Sequence, residues 1–205
     1  MEQRKRLTWG SLLPTNSPVI LLCTATTGLK PPEGKCIGVW YRIFDVRSQI
    51  STQDCLIRDL SEEELAQGSE YHKITSEFVR VHALDKEAFR RRCVELFGSA
   101  TLLTFNPKFQ SQWLPEAVGH LFDLPLLLKG ADMRICMTPE DSGSLRNAEA
   151  FFMTMTFSPK IQESMRWHGV TEAEAEFPVE SKLVGLFHLF RAWKNLELSV
   201  QEPTT

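Results

Sequence analysis

The sequence VILLCTATTGL, at residues 19–29, decides the fold. Its first five residues are all apolar, and a continuous apolar run of this length is typical of a strand that is covered on both faces of a sheet. Further along, the segment PPEG at residues 31–34 is dense in turn-forming residues. The sequence therefore predicts a buried strand that ends near Cys23 and leads into a turn.

Further strand signals follow at intervals. β-branched and aromatic residues dominate the segment that begins at Cys36, and they predict a long second strand. Shorter runs of the same kind predict three more strands. In chain order the strands expected after the first one are residues 36–46, 55–57, 101–105 and 131–137.

Helix signals lie between and after these strands. Ser61 and Glu64 have the spacing of a capping box, which predicts a short helix over residues 61–67. Asp85 precedes an apolar pattern of helical period that stops at Gly98. Proline suits the first turn of a helix, so Pro107 predicts another. The remaining expected helices are residues 107–118, 158–169 and 178–194. Strands followed by alternating helices and strands indicate an α/β sheet covered by helices.

Length and composition describe one ordinary globular unit. The chain has 205 residues with 23 Lys+Arg against 26 Asp+Glu, a net charge of −3, which excludes a strongly basic nucleic-acid binder but leaves a local basic patch possible. Thirteen Phe and five Trp make the chain too apolar to stay unfolded. We expect an N-terminal arm at residues 1–18, one domain at residues 19–197 and a frayed tail at residues 198–205.

Cysteine usage and hydropathy indicate a compartment. The five cysteines are widely spaced and form no CxxC pair, which argues against a disulfide framework or a zinc site and for a reducing environment. No run approaches the roughly 20 apolar residues that a membrane-spanning helix requires. The sequence therefore predicts a cytoplasmic protein with no membrane partner.

Four segments, taken in order from about residue 19 to residue 193, resemble the DnaQ-like (DEDD) 3′–5′ exonuclease family. They are the strand and turn at residues 19–29, YHKIT at residues 71–75, TLLTFNPKFQSQWL at residues 101–114, and the two closing helices that begin near residues 158 and 178. They are similar, respectively, to the family's first strand with Asp-Thr-Glu-Thr-Thr-Gly, its His-Gly-Ile-Thr connector, its His-Asn-x-x-Phe-Asp corner and its last two helices. The resemblance implies an RNase H-like fold: a mixed five-stranded sheet flanked by helices on both faces.

The same resemblance implies a chemistry that this sequence has lost. Enzymes of the family hydrolyse phosphodiesters with two divalent ions held by four carboxylates. The resemblance places the four carboxylates at Cys23, Ala25, Gln110 and Glu180, and the general-base histidine at Ala175. Since three of the four carboxylates and the base are absent, we expect no catalytic residue, no metal site and no cofactor. The protein is then a pseudoenzyme that acts by binding.

The resemblance also implies which residues a retained binding groove would use. The candidates are Thr26, Thr27, Gly28, Leu29, Asn106, Lys108 and Phe109. Additional phosphate contacts could come from Lys30, Lys73, Arg80 and the run at residues 90–92, although three consecutive helical residues point in different directions. The expected partner is single-stranded nucleic acid or a protein, and neither the partner's identity nor the oligomeric state follows from the sequence.

One alternative keeps catalysis. An active, Mg- or Mn-dependent 3′–5′ exonuclease with a rearranged site would need acids that converge from elsewhere, and the available ones are Glu33, Asp45, Glu77, Asp132 and Glu180. The five histidines are scattered, and we interpret His72 as a turn residue that packs on the sheet.

Overall fold

The structure, a computed structural model, describes residues 18–44, 51–124, 176–187 and 190. Several predictions from the sequence lie outside these residues. They concern the N-terminal arm, Asp45, Asp132, the strand at 131–137, the helix at 158–169, Ala175 and the C-terminal tail.

The described residues contain a mixed sheet of six strands in the order β4-β3-β2-β1-β5-β6. Strand β1 lies in its interior, as the apolar run predicts, and it pairs antiparallel with β2 and parallel with β5. Strands β2 and β3 are antiparallel, whereas β3–β4 and β5–β6 are parallel pairs. The strands are β1 Val19–Thr26, β2 Cys36–Phe44, β3 Ser51–Arg58, β4 Ala83–Leu84, β5 Thr101–Thr104 and β6 Leu121–Asp123.

Helices connect and cover these strands. They are α1 Glu62–Ala66, α2 Ser69–His72, α3 Ser76–His82, α4 Lys86–Phe97, α5 Pro107–Gln110 and α6, whose described part is residues 178–187 and 190. The capping box predicted at Ser61 is present, with the Ser61 and Glu64 side chains each bonded to the other's backbone N–H. The Asp85 side chain caps α4 by accepting from Ala88 N at 2.8 Å.

Apolar side chains fill both faces of the sheet. Because successive side chains of a strand point to opposite faces, Leu21 and Cys23 join one core and Ile20 and Leu22 join the other. The first core is covered by α6 together with α1 and α3, which contribute Leu183, Leu65 and Val79. The second is covered by α4 through Phe89, Cys93 and Phe97. The prediction of a central sheet with helices on both faces is confirmed.

Two details of the prediction need correction. The described part of the sheet has six strands, of which β4 and β6 were not predicted, whereas the strand expected at residues 131–137 lies outside the described residues. The helix expected over residues 107–118 ends at Gln110 and gives way to turns. Pro115 excludes a helix that continues to residue 118, because a proline inside a helix lacks the N–H for the helical bond and clashes with the carbonyl four residues earlier.

Candidate functional site

The turn that follows β1 is held by its own hydrogen bonds. Thr27 and Lys35 exchange two of them, from Thr27 N to Lys35 O and from Lys35 N to Thr27 Oγ1, both at 2.9 Å. The Thr26 hydroxyl donates to Gly28 O at 2.7 Å. Gly28 and Gly34 approach so closely that a Cβ on Gly34 would lie 2.8 Å from Gly28 Cα. The glycines therefore allow the two arms of the turn to touch.

Cys23 and Ala25 are buried in the core that α6 covers. Their side chains are 0% and 5% exposed, and they share a cluster with Val179 and Leu183. Burial raises the pKa of the Cys23 thiol to about 12, against a smaller lowering by the Lys182 charge. A thiol that keeps its proton at neutral pH is neither a nucleophile nor a ligand for a hard cation.

Gln110 meets β1 at Thr24, the residue between these two positions. Its Oε1 accepts from Thr24 N at 2.9 Å and from Thr24 Oγ1 at 2.8 Å, and the side chain is fully buried. Strand β5 pairs with β1 only as far as Leu21, so Gln110 takes a backbone donor beyond the last pair of that ladder. The Gln110 carboxamide thus continues the hydrogen bonding of β1 beyond its pairing with β5. In the exonuclease family that the sequence resembles, this position holds a metal-binding carboxylate.

The corner before Gln110 is built as the motif predicts. Asn106 adopts a left-handed conformation with φ 48°, and its side chain caps α5 by accepting from Phe109 N at 3.2 Å. Pro107 occupies the first helical turn, where its missing N–H costs nothing. The Phe109 ring lies 5.8 Å from the Trp113 ring between centroids. The corner therefore fixes where Gln110 enters the sheet.

Glu180 is held by protein donors on both of its oxygens. Oε1 accepts from Trp40 Nε1 at 3.1 Å, and Trp40 is the cross-strand neighbour of Cys23. Oε2 accepts from the backbone N–H groups of Glu176 and Phe177, at 2.5 and 3.3 Å. These are free N–H groups at the start of α6, which a carboxylate in the first turn stabilises. Glu180 therefore anchors α6 to β2.

The positively charged side chain of Lys182 also lies near this end of β1. Lys182 Nζ lies 5.9 Å from the centroid of the Phe105 ring, and its charge acts on Cys23 as described above. Sequence reasoning missed both Lys182 and Thr24. Their only signal was position: Lys182 follows Glu180 by two residues, and Thr24 separates the two aligned positions on β1.

The side chains at the four aligned positions do not fit a pair of divalent cations. The aligned positions offer a thiol, a methyl group, a carboxamide and one carboxylate that already accepts three hydrogen bonds. Hard cations need several anionic oxygens to compensate their dehydration, and the ammonium of Lys182 adds repulsion. Within the described part of the chain, no three His, Cys, Asp or Glu side chains come together in a way that could hold a metal.

The acids of the rearranged-site alternative do not gather either, so far as the structure describes them. Glu77 lies on α3, where it pairs with Arg80 at 3.3 Å, and Glu33 is exposed in the turn after β1. Glu180 is bound as described above. Asp45 and Asp132 lie outside the described residues.

His72 has a structural role. It is 6% exposed, its Nδ1 accepts from Ile74 N at 3.0 Å, and its Nε2 lies 3.0 Å from Leu65 O. Acceptance at Nδ1 places the ring proton on Nε2, which donates to the Leu65 carbonyl. His72 thus ties α2 to α1.

The binding candidates lie at the end of β1, in the turn after it and at the corner before Gln110, and they differ in exposure. Leu29 is 81% exposed, and the side chains of Asn106 and Lys108 are also exposed. Phe109 is half-buried, whereas Thr27 is buried and serves the turn. Lys30 and Lys73 are exposed on neighbouring segments. An exposed apolar residue and three exposed lysines therefore lie on the turn after β1, after α2 and on α5.

The strand order, with β1 between an antiparallel β2 and a parallel β5 and helices on both faces, defines an RNase H-like fold. The solved structures that share it include several of exonuclease I. One, whose study suggests how processivity is achieved, has a TM-score of 0.53 and 13% identity, and the match covers 88% of this chain and 43% of that one. The zinc-bound form of the E. coli exonuclease I–ssDNA complex has a TM-score of 0.55 and 13% identity, over 88% and 42% of the two chains.

A third structure, the exonuclease I/SSB-Ct complex, has a TM-score of 0.51 and 12% identity, over 87% of this chain and 43% of that chain. The chain thus spans less than half the length of the exonuclease I chains that it matches. No family model and no curated protein matches the sequence. The likeness shows the fold and confirms that part of the sequence prediction. In the part of the chain that the structure describes, no helix is long and apolar enough to cross a membrane.

Proposed function

We propose that this protein is a catalytically inactive relative of the exonucleases that acts by binding. The observation that carries the proposal is the commitment of the two polar side chains at the aligned positions. Gln110 accepts from Thr24, and Glu180 accepts from Trp40 and from the start of α6. Because both already serve the fold, neither is free to hold a dication or to activate water.

We favour single-stranded nucleic acid as the partner. An exposed apolar side chain at Leu29 and exposed lysines at positions 30, 73 and 108 supply the two components of such binding, a surface for bases and charge for phosphates. The likeness to exonuclease I, of which one structure is a complex with ssDNA, supports the same choice. The acidic net charge of −3 predicts weak, salt-sensitive binding that depends on this local patch.

Inactivity is tested with a labelled single strand in Mg²⁺ or Mn²⁺. We expect no nucleotide release above that of the Glu180→Ala variant, which controls for contaminating nuclease. Release by the unmodified protein that disappears in Glu180→Ala would overturn the proposal and favour an active exonuclease with a rearranged site.

Binding is tested by retention of the same strand on filters over a range of salt concentrations. We expect Lys108→Ala to weaken binding and to reduce the slope of log K against log salt by about 0.7, the value for one phosphate contact on a single strand. Arg91→Ala is the matched control: although the run at residues 90–92 is a possible phosphate contact by sequence, Arg91 is an exposed cation on α4, which covers the opposite core from Cys23 and Ala25. Absence of retention even at low salt, or equal losses in both variants, would contradict this partner and leave a protein partner as the binding function.

A further inference from the structure

A second polar site lies on the face of the sheet opposite α6. There a pocket of about 280 Å³ opens between the turn after β1, the end of β3, the start of α4 and the segment after α5. Its polar lining comes from Lys35, Arg58, Lys86, Gln112 and Trp113. It belongs with the core of Cys36, Phe89 and Trp113, whereas the aligned positions Cys23 and Ala25 face the other core.

The charge of this pocket has one sign. Lys35, Arg58 and Lys86 line it, and no Asp or Glu does. None of the three forms an ion pair with a described residue, since the pairs among those residues are Arg80–Glu77 and Arg92–Glu95. The carboxylate of Asp85, which neighbours Lys86 in sequence, is engaged in capping α4. Three cations in a lining that includes no acid make a local field that attracts an anion.

Two hydrogen-bond donors of the pocket residues lack acceptors. Arg58 Nε and Trp113 Nε1 are buried, and neither has a hydrogen-bond partner. Trp113 is more than nine-tenths buried, with 8% of the residue exposed. Buried donors are nearly always paired, and an orphaned one requires an explanation such as a missing ion. Both residues line the cationic pocket, so its wall contains unpaired polar groups as well as cations.

We propose that this pocket binds a phosphate group, from a nucleotide or from a nucleic-acid strand. The charges of Lys35, Arg58 and Lys86 would hold the phosphate, and the Trp113 indole forms part of the pocket wall beside it. Arginine and lysine side chains are the usual phosphate ligands, and charge-assisted bonds of this type are the strong ones. Only the strand as a source rests on the proposed function; the phosphate site itself is independent of it.

The experiment is a titration of ¹⁵N-labelled full-length protein, followed by NMR, with three probes: inorganic phosphate, adenosine 5′-monophosphate and adenosine. The indole N–H signal of Trp113 is identified by its absence in Trp113→Phe. We expect phosphate and the monophosphate to shift this signal and adenosine to leave it in place. Lys86→Ala should weaken phosphate binding about tenfold, the loss of one charge-assisted bond, while Arg91→Ala should leave it unchanged.

The outcomes are distinct. Absence of a shift with inorganic phosphate and with the monophosphate, or equal losses in Lys86→Ala and Arg91→Ala, would overturn the site. If Trp113→Phe does not fold, the Lys86→Ala comparison still decides, because Lys86 is exposed at the first turn of α4. Phosphate binding without retention of a single strand supports the site and contradicts the proposed partner. Retention of a strand without any response to phosphate does the reverse.

Discussion

Replacing Gln110 by leucine tests the structural role of the carboxamide at the end of β1. The substitution keeps the side chain's approximate size and removes the oxygen that accepts from Thr24 N at 2.9 Å and from Thr24 Oγ1 at 2.8 Å. Both donors are buried, since Gln110 is 0% and Thr24 8% exposed. Water therefore cannot easily replace the lost acceptor.

The expected loss follows from these two donors. A buried donor left without an acceptor costs about 1–3 kcal/mol, and the threonine hydroxyl can rotate toward another acceptor while the backbone N–H cannot. We therefore expect Gln110→Leu to lower the free energy of unfolding by about 2–4 kcal/mol. The matched control is Gln112→Leu, whose exposed amide donates to Lys108 O and whose loss should stay within about 0.5 kcal/mol.

Urea denaturation followed by far-UV circular dichroism measures both variants. Thr24→Val removes the hydroxyl donor, so Gln110→Leu should cost less in that background, and a double-mutant cycle gives the coupling between the two side chains. A Gln110→Leu variant as stable as Gln112→Leu would refute the reasoning, because it would show that the carboxamide does not stabilise the end of β1.

Three further outcomes test neighbouring features. Glu180→Ala should lower the free energy of unfolding by about 1–3 kcal/mol, since Trp40 Nε1 and the start of α6 lose their acceptor; unchanged urea denaturation would contradict this role. The pKa of Cys23 is raised by burial from 9.0 to about 12, so its contribution to stability is complete below pH 9 and is lost as the pH rises toward 12. Between pH 9 and pH 12 the free energy of unfolding should therefore fall less in Cys23→Ala than in the unmodified protein, as urea denaturation at each pH measures. If the two plots of this free energy against pH were parallel, the buried thiol would not be the cause. Asp85→Ala should destabilise α4 by about 1 kcal/mol through loss of its cap on Ala88 N, which thermal melting detects; an unchanged melting temperature would be inconsistent with that cap.

The parts of the fold that depend on local signals were predictable from the sequence. The apolar run of β1 and the caps at Ser61 and Asp85 each lie within a few residues of the element that they specify. The helix predicted after Pro107 is too long, because Pro107 signals a helix start but Pro115 signals a stop before residue 118. Strand β4 has only two residues, and its existence depends on pairing with β3. A two-residue strand leaves no periodicity for a sequence to display.

The candidate site likewise has a part that the sequence predicts and a part that it does not. The resemblance places residues 23, 25, 110 and 180 around one end of β1, and the structure shows what each of them contacts there. That Gln110 bonds to Thr24, 86 residues away, and Glu180 to Trp40, 140 residues away, could not be read from spacing. The same holds for the cationic pocket, because Lys35, Arg58 and Lys86 come from three separate segments that only the sheet brings together.

The interior position of β1 also shapes how the chain folds during synthesis. Strand β2 can pair with β1 soon after both emerge, but β5, which covers the other edge, lies some 80 residues further along. At roughly 5–20 residues per second, that edge stays open for several seconds, with the Leu22 carbonyl and the Thr24 N–H still without Thr104 and Gln110. An open apolar edge is a template for pairing with other chains. Nascent or truncated chains that end before β5 are therefore the forms of this protein most exposed to aggregation, and a ribosome-bound chaperone would protect them best at that stage.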